Sequence, residues 1–541
     1  MGHVRRLYLS VVAGVSLAVW STGAVLLLRQ LVLAVWDAVT GVVLFAGGTV
    51  WRQQLGVSIA LVLVGLPVWA LHWNWIERIS AREPTERQSI VRALYQAVVL
   101  AVTFSTWIRS AVAVLAVLLR AMLGAEGVSD VAPLVQNSVP ALLVSGGVWW
   151  FHRRWLRIDC QSAERQGAAA WIPQLYWYGA TGTGLTLLVV GVALLLRAAL
   201  DAVLPATVLV GSLHTAVSRA LALSVSGLVA WGLHWPAVLQ GTLDAASADQ
   251  RRSAIHWGYL TVVVFASLAT LLAALTVALQ VALGRVLGVP DGDTVARIRQ
   301  MLLPLAWLLP ALLAWWYHRA VLRREAAVNA TLQPAGTGWF TNAGRLLRYG
   351  SAFVALLFAG LGLSRMVSLL VDALFALLVS QPVGSWRDDL AFGLAVAGTG
   401  SGAWLVFWRA ILASWARDPS GERSSLSRRA YLYATLGVSV LALLGSAASV
   451  LARLLSWLLG AESAAVALTS SAPALGIMLV ALVVFAYHGQ VLRRDLREAG
   501  AAPAAGATVR LVLRLPPGSD PEGVVQELAA HLPPGAQLER R

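Results

Sequence analysis

Long apolar stretches alternate with short polar segments along the whole chain. Each apolar stretch reaches the length of about 20 residues that an α-helix needs to cross a bilayer core. The pattern predicts an all-α polytopic membrane protein with about twelve transmembrane helices. They are predicted at residues 7–33, 55–76, 93–123, 138–157, 174–204, 216–238, 254–286, 299–320, 345–379, 389–413, 430–459 and 471–493.

Every second apolar stretch closes on an aromatic segment that carries a histidine or, once, a tryptophan. These closings recur at intervals of about 80 to 90 residues, and a fixed period of this kind is the mark of a repeat protein. They centre on His72, His152, His234, His318, Trp408 and His488. The chain is therefore predicted to consist of six two-helix repeats.

Smaller shared features group the repeats in pairs. Repeats one, three and five carry a late aspartate in the first helix, whereas repeats two, four and six carry a proline early in the second helix. These residues are Asp37, Asp201 and Asp372, and Pro140, Pro304 and Pro473. The prediction is three four-helix modules, at 1–165, 166–330 and 331–498. An even number of spans gives each module the same orientation, so the modules should be parallel repeats related by rotation about the membrane normal.

Arginine is unevenly distributed between the two sets of loops. The loops that follow the histidine segments are rich in arginine, and the alternate loops are poor in it. The positive-inside rule then places both termini and the histidine ends of the helices in the cytoplasm. We expect a multi-pass protein of the cytoplasmic (inner) cell membrane whose arginine-rich loops contact anionic lipids.

Composition narrows the function classes further. The 541 residues are 58% hydrophobic and only 12% charged, against about 25% charged in soluble domains. The net charge of +15 is spread over many loops rather than one patch, so nucleic-acid binding is not expected. The chain has no lysine, which removes a Walker A or Schiff-base site. Its single cysteine, Cys160, rules out an internal disulfide and a multi-cysteine metal site.

The last segment, 499–541, differs from the rest. An Ala/Pro/Gly linker leads into Thr508–Leu515, where apolar and polar residues alternate as in a strand. Asp520-Pro521-Glu522 is a good helix start. The pattern predicts a small cytoplasmic strand–helix–strand tail, an α+β element through which protein partners could bind.

The five histidines have two interpretations. They could form a proton relay or ligate a haem or metal, or they could belong to an aromatic belt at the membrane interface. Trp408 favours the belt, because tryptophan cannot ligate iron. We therefore expect no catalytic residue, no cofactor and no metal at His72, His152, His234, His318, Trp408 and His488.

Arg109 is the most unusual side chain in the predicted spans. It lies fourteen residues after Tyr95 and so near the middle of its helix, where a charge costs at least about 2.5 kcal/mol. It could bind an anion between helices. Alternatively, it could bond to the backbone or to the nearby hydroxyls of Ser105, Thr106 and Ser110 and pin two helices together. In both cases the guanidinium should face neighbouring protein.

Short motifs at the repeat ends give a family resemblance. Repeats open with Arg5-Arg6-Leu7-Tyr8, Arg92-Ala93-Leu94-Tyr95 and Arg428-Arg429-Ala430-Tyr431, and His318 and His488 start His-x-x-x-Leu-Arg-Arg closings. The chain resembles an uncharacterised bacterial family of tandem multi-span membrane domains, a domain of unknown function, over roughly residues 5–498. The resemblance implies a multi-span membrane module and carries no activity, cofactor or catalytic residue.

Three hypotheses for function follow. The first is a non-enzymatic membrane protein, such as a scaffold, a partner subunit or a membrane organiser. The alternative is a transporter or channel with a path between the modules, but transporters usually have broken helices and buried polar residues at mid-depth. An enzyme should show convergent titratable groups, and none are evident, so no enzymatic activity is expected.

Overall fold

The structure is a computed structural model that describes most of the chain. It covers residues 2–41, 49–124, 128–162, 168–204, 213–243, 253–289, 294–332, 342–380, 386–501, 520 and 522–524. Within these ranges every regular element is helical. The α-helices are α1 Gly2–Thr40, α2 Thr49–Arg82, α3 Ile90–Met122, α4 Val128–Ser162, α5 Ala168–Val203, α6 Leu213–Leu243, α7 Ala254–Val286, α8 Thr294–Leu302, α9 Leu308–Leu332, α10 Ala343–Leu378, α11 Trp386–Arg417, α12 Pro419–Ser424, α13 Leu426–Leu458 and α14 Ala464–Ala501.

Local sequence signals set where several helices begin and end. Ser89 caps α3 by accepting a hydrogen bond from the backbone N–H of Arg92, and Ser425 caps α13 in the same way through Arg428. Both helices end just before a glycine with positive φ, at Gly124 and at Gly460. Glycine adopts this left-handed conformation at little cost, so the sequence stops the two helices at equivalent places.

Eleven helical segments in the described part of the chain are long and apolar enough to cross a membrane. Twelve were predicted. The twelfth predicted span, 138–157, lies within α4, which is 35 residues long. At 1.5 Å per residue, a helix of 33 residues is about 50 Å long and extends past a core of about 30 Å.

One predicted span is interrupted. The sequence predicted a single helix at 299–320, whereas the structure has α8, then a 3₁₀ turn at Leu303–Trp307, then α9. Pro304 lies in the turn and Pro310 in the first turn of α9. Proline removes a backbone donor and clashes with the preceding helical turn, so a continuous α-helix cannot form here.

The long helices pack as six consecutive hairpins. They are α1–α2, α3–α4, α5–α6, α7–α9, α10–α11 and α13–α14, and they are called hairpins one to six below. The first helix of each hairpin also packs against the first helix of the next one. Apart from a few weaker contacts, helices of the described residues pack only within a hairpin or against an adjacent hairpin. The result is a serial array.

The surface of this array is apolar, and part of its interior is polar. Large aliphatic side chains such as Leu370 and Leu441 are exposed, whereas Arg92, Asp159 and His256 are buried. Contiguous exposed apolar surface of this extent marks contact with lipid. The chain is an integral membrane protein.

Glycines bring paired helices into close contact at selected positions. A Cβ at Gly400 of α11 would overlap the backbone of α10 near Ala359, and a Cβ at Gly184 of α5 would overlap the backbone of Trp231. Gly398 and Gly402, the outer glycines of a GxxxG pattern, have open space around them. The close approach therefore depends on Gly400, which lies between them.

Most of the predicted tail lies outside the described residues. The linker predicted from residue 499 starts slightly later, because α14 continues to Ala501. Asp520 accepts hydrogen bonds from the backbone N–H groups of Glu522 and Gly523, at 3.0 and 3.2 Å. This is the capping geometry of a helix start. The two predicted strands fall on residues that the structure does not describe.

Candidate functional site: a polar layer at one end of the helices

The five histidines lie at the same end of the helix array, and each is buried. In each, Nδ1 hydrogen bonds to the backbone carbonyl four residues earlier, at 2.7 to 2.9 Å; the residues are His72, His152, His234, His318 and His488. A carbonyl oxygen can only accept, so Nδ1 carries the proton in each ring and a neutral ring leaves Nε2 as an acceptor. The helix backbone thus fixes the tautomer.

Four of these histidines accept a second hydrogen bond, from a tyrosine on the other helix of the same hairpin. The tyrosine hydroxyl lies 3.0 to 3.4 Å from Nε2 in the pairs Tyr95–His152, Tyr176–His234, Tyr259–His318 and Tyr431–His488. Both ring nitrogens are then occupied, so these rings have no free lone pair for a metal ion. Each bond joins the two helices of a hairpin.

Two hairpins depart from this arrangement. In hairpin one, the Tyr8 and His72 rings meet edge to face with centroids 5.9 Å apart, and His72 Nε2 has no hydrogen-bond partner among the described residues. In hairpin five, Trp408 replaces the histidine, and the Tyr349 hydroxyl donates instead to Glu422 Oε2 at 2.8 Å. Tryptophan is tolerated here because the tyrosine has another acceptor.

Tryptophans connect neighbouring hairpins in the same layer. The indole N–H of Trp149 donates to the Tyr176 hydroxyl at 2.5 Å, and that of Trp404 donates to Tyr431 at 3.4 Å. In each case the tyrosine belongs to the following hairpin and itself donates to a histidine. The aromatic belt predicted from the sequence is thus a hydrogen-bonded layer, which we call the histidine layer.

An ion pair that the sequence did not predict lies beside the histidine layer. Arg92, three residues before Tyr95, binds Asp159 through Nε at 2.6 Å and Nη2 at 3.1 Å. It also donates to Glu77 at 2.7 Å and to Ser80 at 3.0 Å. A charge this deeply buried is stable only when it is paired and fully hydrogen bonded, and Arg92 meets both conditions.

Hairpin six repeats this pair. Arg428, three residues before Tyr431, binds Asp495 at 2.6 and 3.2 Å. Its guanidinium also lies 4.4 Å from the centroid of the Trp415 ring, within the range of a cation–π contact.

Hairpin four has a different pair at the same place. His256, three residues before Tyr259, contacts Glu325 with Nε2 at 2.5 Å and the Tyr178 hydroxyl with Nδ1 at 2.8 Å. All three pairs join positions 67 or 69 residues apart. That common spacing was the signal in the sequence that could have identified them. Here a histidine takes the place of the arginine.

Hairpins one and five use a carboxylate in the turn that follows them. Arg6 binds Glu86 at 2.7 and 2.8 Å, and Glu86 lies in the 3₁₀ turn Pro84–Gln88. Arg345 binds Glu422 of α12 at 3.1 Å. These pairs tie the start of each first helix to the segment that leads into the next hairpin.

Glu422 and Asp418 are carboxylates just beyond the end of α11. Burial acts to raise the pKa of Glu422, but hydrogen bonds from Ser414, Tyr349 and Arg345 outweigh it, so the pKa lies below its ordinary value. A hydrogen bond from the Gly421 backbone N–H, together with Arg345, also lowers the pKa of Asp418. Both side chains are therefore ionised at neutral pH.

Arg109 lies in the middle third of α3 on its exposed side. Two of the three predicted hydroxyl partners bond within their own helix instead: Ser105 Oγ donates to the Ala101 carbonyl at 2.7 Å and Thr106 Oγ1 donates to the Val102 carbonyl at 3.0 Å. No described side chain forms an ion pair or hydrogen bond with Arg109. The structure thus does not bring neighbouring protein to its guanidinium, and an anion site at Arg109 stays a prediction.

One cavity is apolar. It has a volume of about 230 Å³ and lies between α1, α2 and α4, where Trp20, Trp69, Phe151 and His152 form part of its wall. A second cleft, of about 30 Å³, lies beside Arg6, Glu86 and Arg92. Among the described residues, no group of three or more His, Cys, Asp or Glu is arranged to hold a metal ion.

Comparison with known proteins identifies the family. No curated protein and no solved structure matches the chain. The sequence profile of the family described as Domain of unknown function (DUF5671) matches it three times, over residues 6–136, 174–313 and 345–483. Each match starts near the opening of hairpin one, three or five. Because the matches together cover more than half of the chain, the protein belongs to the DUF5671 family and carries its domain in three tandem copies.

Proposed function

We propose that this protein is a non-enzymatic structural component of the bacterial cytoplasmic membrane, a scaffold or partner subunit. The proposal rests on one observation: buried polar groups bond to other groups of the same chain. Beside the histidine layer, Arg92, Asp159, Arg428 and His256 each bond to a partner within the chain. These bonds hold helices together, so in the described part of the chain these charged and titratable groups are bonded to protein.

We propose further that the twelve long helices form three parallel four-helix modules, with both termini and the histidine layer on the cytoplasmic side. The arginine-rich loops after the histidines support this orientation. In that arrangement the basic loops lie against the anionic lipids of the inner leaflet. Each basic residue near such a surface contributes about 1 kcal/mol of attraction.

A flux assay tests the structural role. Purified protein is reconstituted in liposomes that carry a pH-sensitive dye, and a proton gradient and a membrane potential are imposed. We expect no proton flux above that of protein-free liposomes. Saturable flux that depends on the protein would overturn the proposal.

Transport is the second candidate, and hairpin four favours it. His256 is buried between Tyr178 and Glu325 with both ring nitrogens bonded, and buried chains of titratable groups serve as proton relays in membrane proteins. In the same assay, the Glu325→Gln variant distinguishes transport from the structural role. If flux appears and this variant abolishes it while Glu462→Gln at the opposite end does not, transport replaces the structural role.

A further inference from the structure

The first helix of each hairpin packs against both helices of the next hairpin, and two of these contacts join one predicted module to the next. α3 of hairpin two packs against α5 and α6 of hairpin three, and α7 of hairpin four packs against α10 and α11 of hairpin five. In both cases the first helix of an even-numbered hairpin meets both helices of the next hairpin. This contact, which we call the module interface, joins one four-helix module to the next.

On α3 the module interface uses one stripe of apolar side chains. Leu100, Phe104 and Ile108 lie 5, 9 and 13 residues after Tyr95, and all three are buried. They form one cluster with Tyr176 of α5 and Ala230 of α6. The spacing of four residues places the stripe on a single helix face.

The same stripe is buried on α7. Val264, Leu268 and Leu272 lie 5, 9 and 13 residues after Tyr259, and all are buried. Leu268 and Leu272 pack against Ala355 of α10 and against Phe407 of α11. Two module interfaces therefore use the same register positions.

The third copy of the stripe is uncovered. On α13 the matching residues are Leu436, Val440 and Leu444, counted from Tyr431. Val440 is 39% exposed and Leu444 is 63% exposed, and only 11% of the most apolar part of α13 is buried, the lowest share of the eleven candidate spans. Among the described residues, no further hairpin packs on this face of α13.

The complementary face is uncovered at the other end of the array. On α6, Ala230 packs in the cluster that contains the α3 stripe. Ser226 and Ala222 lie one and two turns earlier on the same helix face and are also buried, so the three residues lie 4, 8 and 12 residues before His234. On α2 the matching residues, counted from His72, are exposed, and Val64 is 65% exposed. The buried share of α2 is 17%, the second lowest. Within the described part of the chain, no other hairpin covers this face of α2.

We propose that copies of this protein associate head to tail, with α13 of one copy seated against α1 and α2 of the next in the geometry of the module interface. The partner is a second copy of this protein, because the uncovered face of α13 and the uncovered face of α2 correspond to the two complementary sides of the module interface. This inference rests on the proposed structural role and names a second copy of the protein as the partner in that role. All copies share one orientation, because the modules joined by the internal interface do.

Close approach is possible on both sides of this contact. Gly437 and Gly445 of α13 and Gly56 of α2 have nothing within 4 Å of a Cβ position. Between helices in lipid, association depends on tight packing of small residues rather than on a hydrophobic driving force. A contact between two different faces does not close in a pair, so it builds a ring or an open row.

Cysteine cross-linking tests the contact in liposomes. The exposed Cys160 is first changed to Ser. Two tagged forms, Leu444→Cys and Val64→Cys, are then mixed and treated with a short bis-maleimide. We expect cross-linked dimers between the two forms and at least tenfold fewer from either form alone. Leu412→Cys, an exposed lipid-facing position on α11, is the matched control and should give the low background.

The possible outcomes separate the alternatives. Efficient Leu444→Cys cross-links within one form would show a face-to-face dimer, and equal yields at Leu412→Cys would show random collision; both overturn the inference. So does single-step photobleaching at every protein-to-lipid ratio. Gly445→Leu, which points outward and should not disturb folding, is expected to abolish the cross-links. A monomer without flux would defeat this inference alone, whereas an assembled protein with flux would defeat the structural role alone.

Discussion

The Tyr–His hydrogen bond is the smallest repeated contact in the molecule, and hairpins one and two allow its contribution to be measured. In hairpin two, Tyr95→Phe leaves His152 Nε2 buried without a donor. We expect the free energy of unfolding to fall by about 1–3 kcal/mol, the cost of a buried unsatisfied acceptor. Thermal unfolding in detergent is the measurement.

Tyr8→Phe is the matched control for that change. Tyr8 contacts His72 only through its ring edge, so loss of its hydroxyl should leave the melting temperature within error of the wild type. Equal effects of the two substitutions would contradict the role assigned to the Tyr–His bond.

Glu422 gives a prediction about acid stability. Its pKa is lowered in the folded protein, so the unfolded chain binds the proton more tightly. The ionised carboxylate therefore contributes stability above the unfolded value of about 4.3, and this contribution is lost as the pH falls through the folded pKa. Arg345, Arg348, Tyr349 and Ser414 face it and supply the favourable contacts.

Glu422→Gln should remove that dependence. We expect the variant to be less stable than the wild type at pH 7, and the difference to shrink as the pH falls below about 4.3 and through the lowered folded pKa. Melting temperatures across this range are the measurement. A difference that is constant with pH would show that the charge of Glu422 does not matter.

Arg109 gives the opposite kind of prediction, since no described residue pairs with it. Arg109→Leu should leave stability in detergent unchanged and should lower the cost of membrane insertion by at least about 2.5 kcal/mol. Insertion efficiency and the melting temperature are the measurements. A clear loss of stability would reveal a partner for the guanidinium.

At the scale of helices, Gly400 and Gly398 of α11 differ in their surroundings, because only Gly400 packs closely against another helix. Gly400→Ala places a methyl group against the α10 backbone, whereas Gly398→Ala places one in open space. We expect the first to destabilise the protein by about 1–3 kcal/mol through overpacking. The second should be neutral or slightly stabilising, because alanine favours a helix by up to about 1 kcal/mol. Equal melting temperatures for the two variants would refute the assigned contact.

The sequence predicted the helices better than it predicted the hydrogen bonds and ion pairs in and beside the histidine layer. Apolar length alone gave most spans, because lipid requires a continuous helix. The histidine belt could be predicted from its period. The Arg92–Asp159 and His256–Glu325 pairs were missed, since each partner taken singly looks like an ordinary charged residue near a loop. Only an alignment of the repeats against one another reveals that the partners always occupy the same two positions.

Some features depended on tertiary contacts that no local pattern carries. Arg109 was expected to face protein, but which side of α3 is covered depends on how α5 and α6 pack on it. The importance of Gly400 over Gly398 is likewise set by the rotation of α11 against α10. The break between α8 and α9 could have been foreseen, because Pro304 and Pro310 are sufficient to cause it.

At the scale of the whole molecule, the proposed orientation makes a direct prediction. Reporter fusions at Arg87, Gln250 and Arg423 should be active in the cytoplasm, and fusions at Glu126 and Glu462 should be active outside it. Paired reporters that are active on only one side of the membrane are the measurement. A reversed result at two or more sites would refute the arginine-based topology.

The Tyr–His bond also bears on how such a chain can grow. Each of hairpins two, three, four and six brings its own donor and its own acceptor, so a duplicated hairpin arrives with that bond already satisfied. A gene duplication that adds such a hairpin therefore introduces no buried histidine in need of a new partner. Descendants of one ancestral domain can in this way differ in the number of copies they carry while each copy keeps its fold.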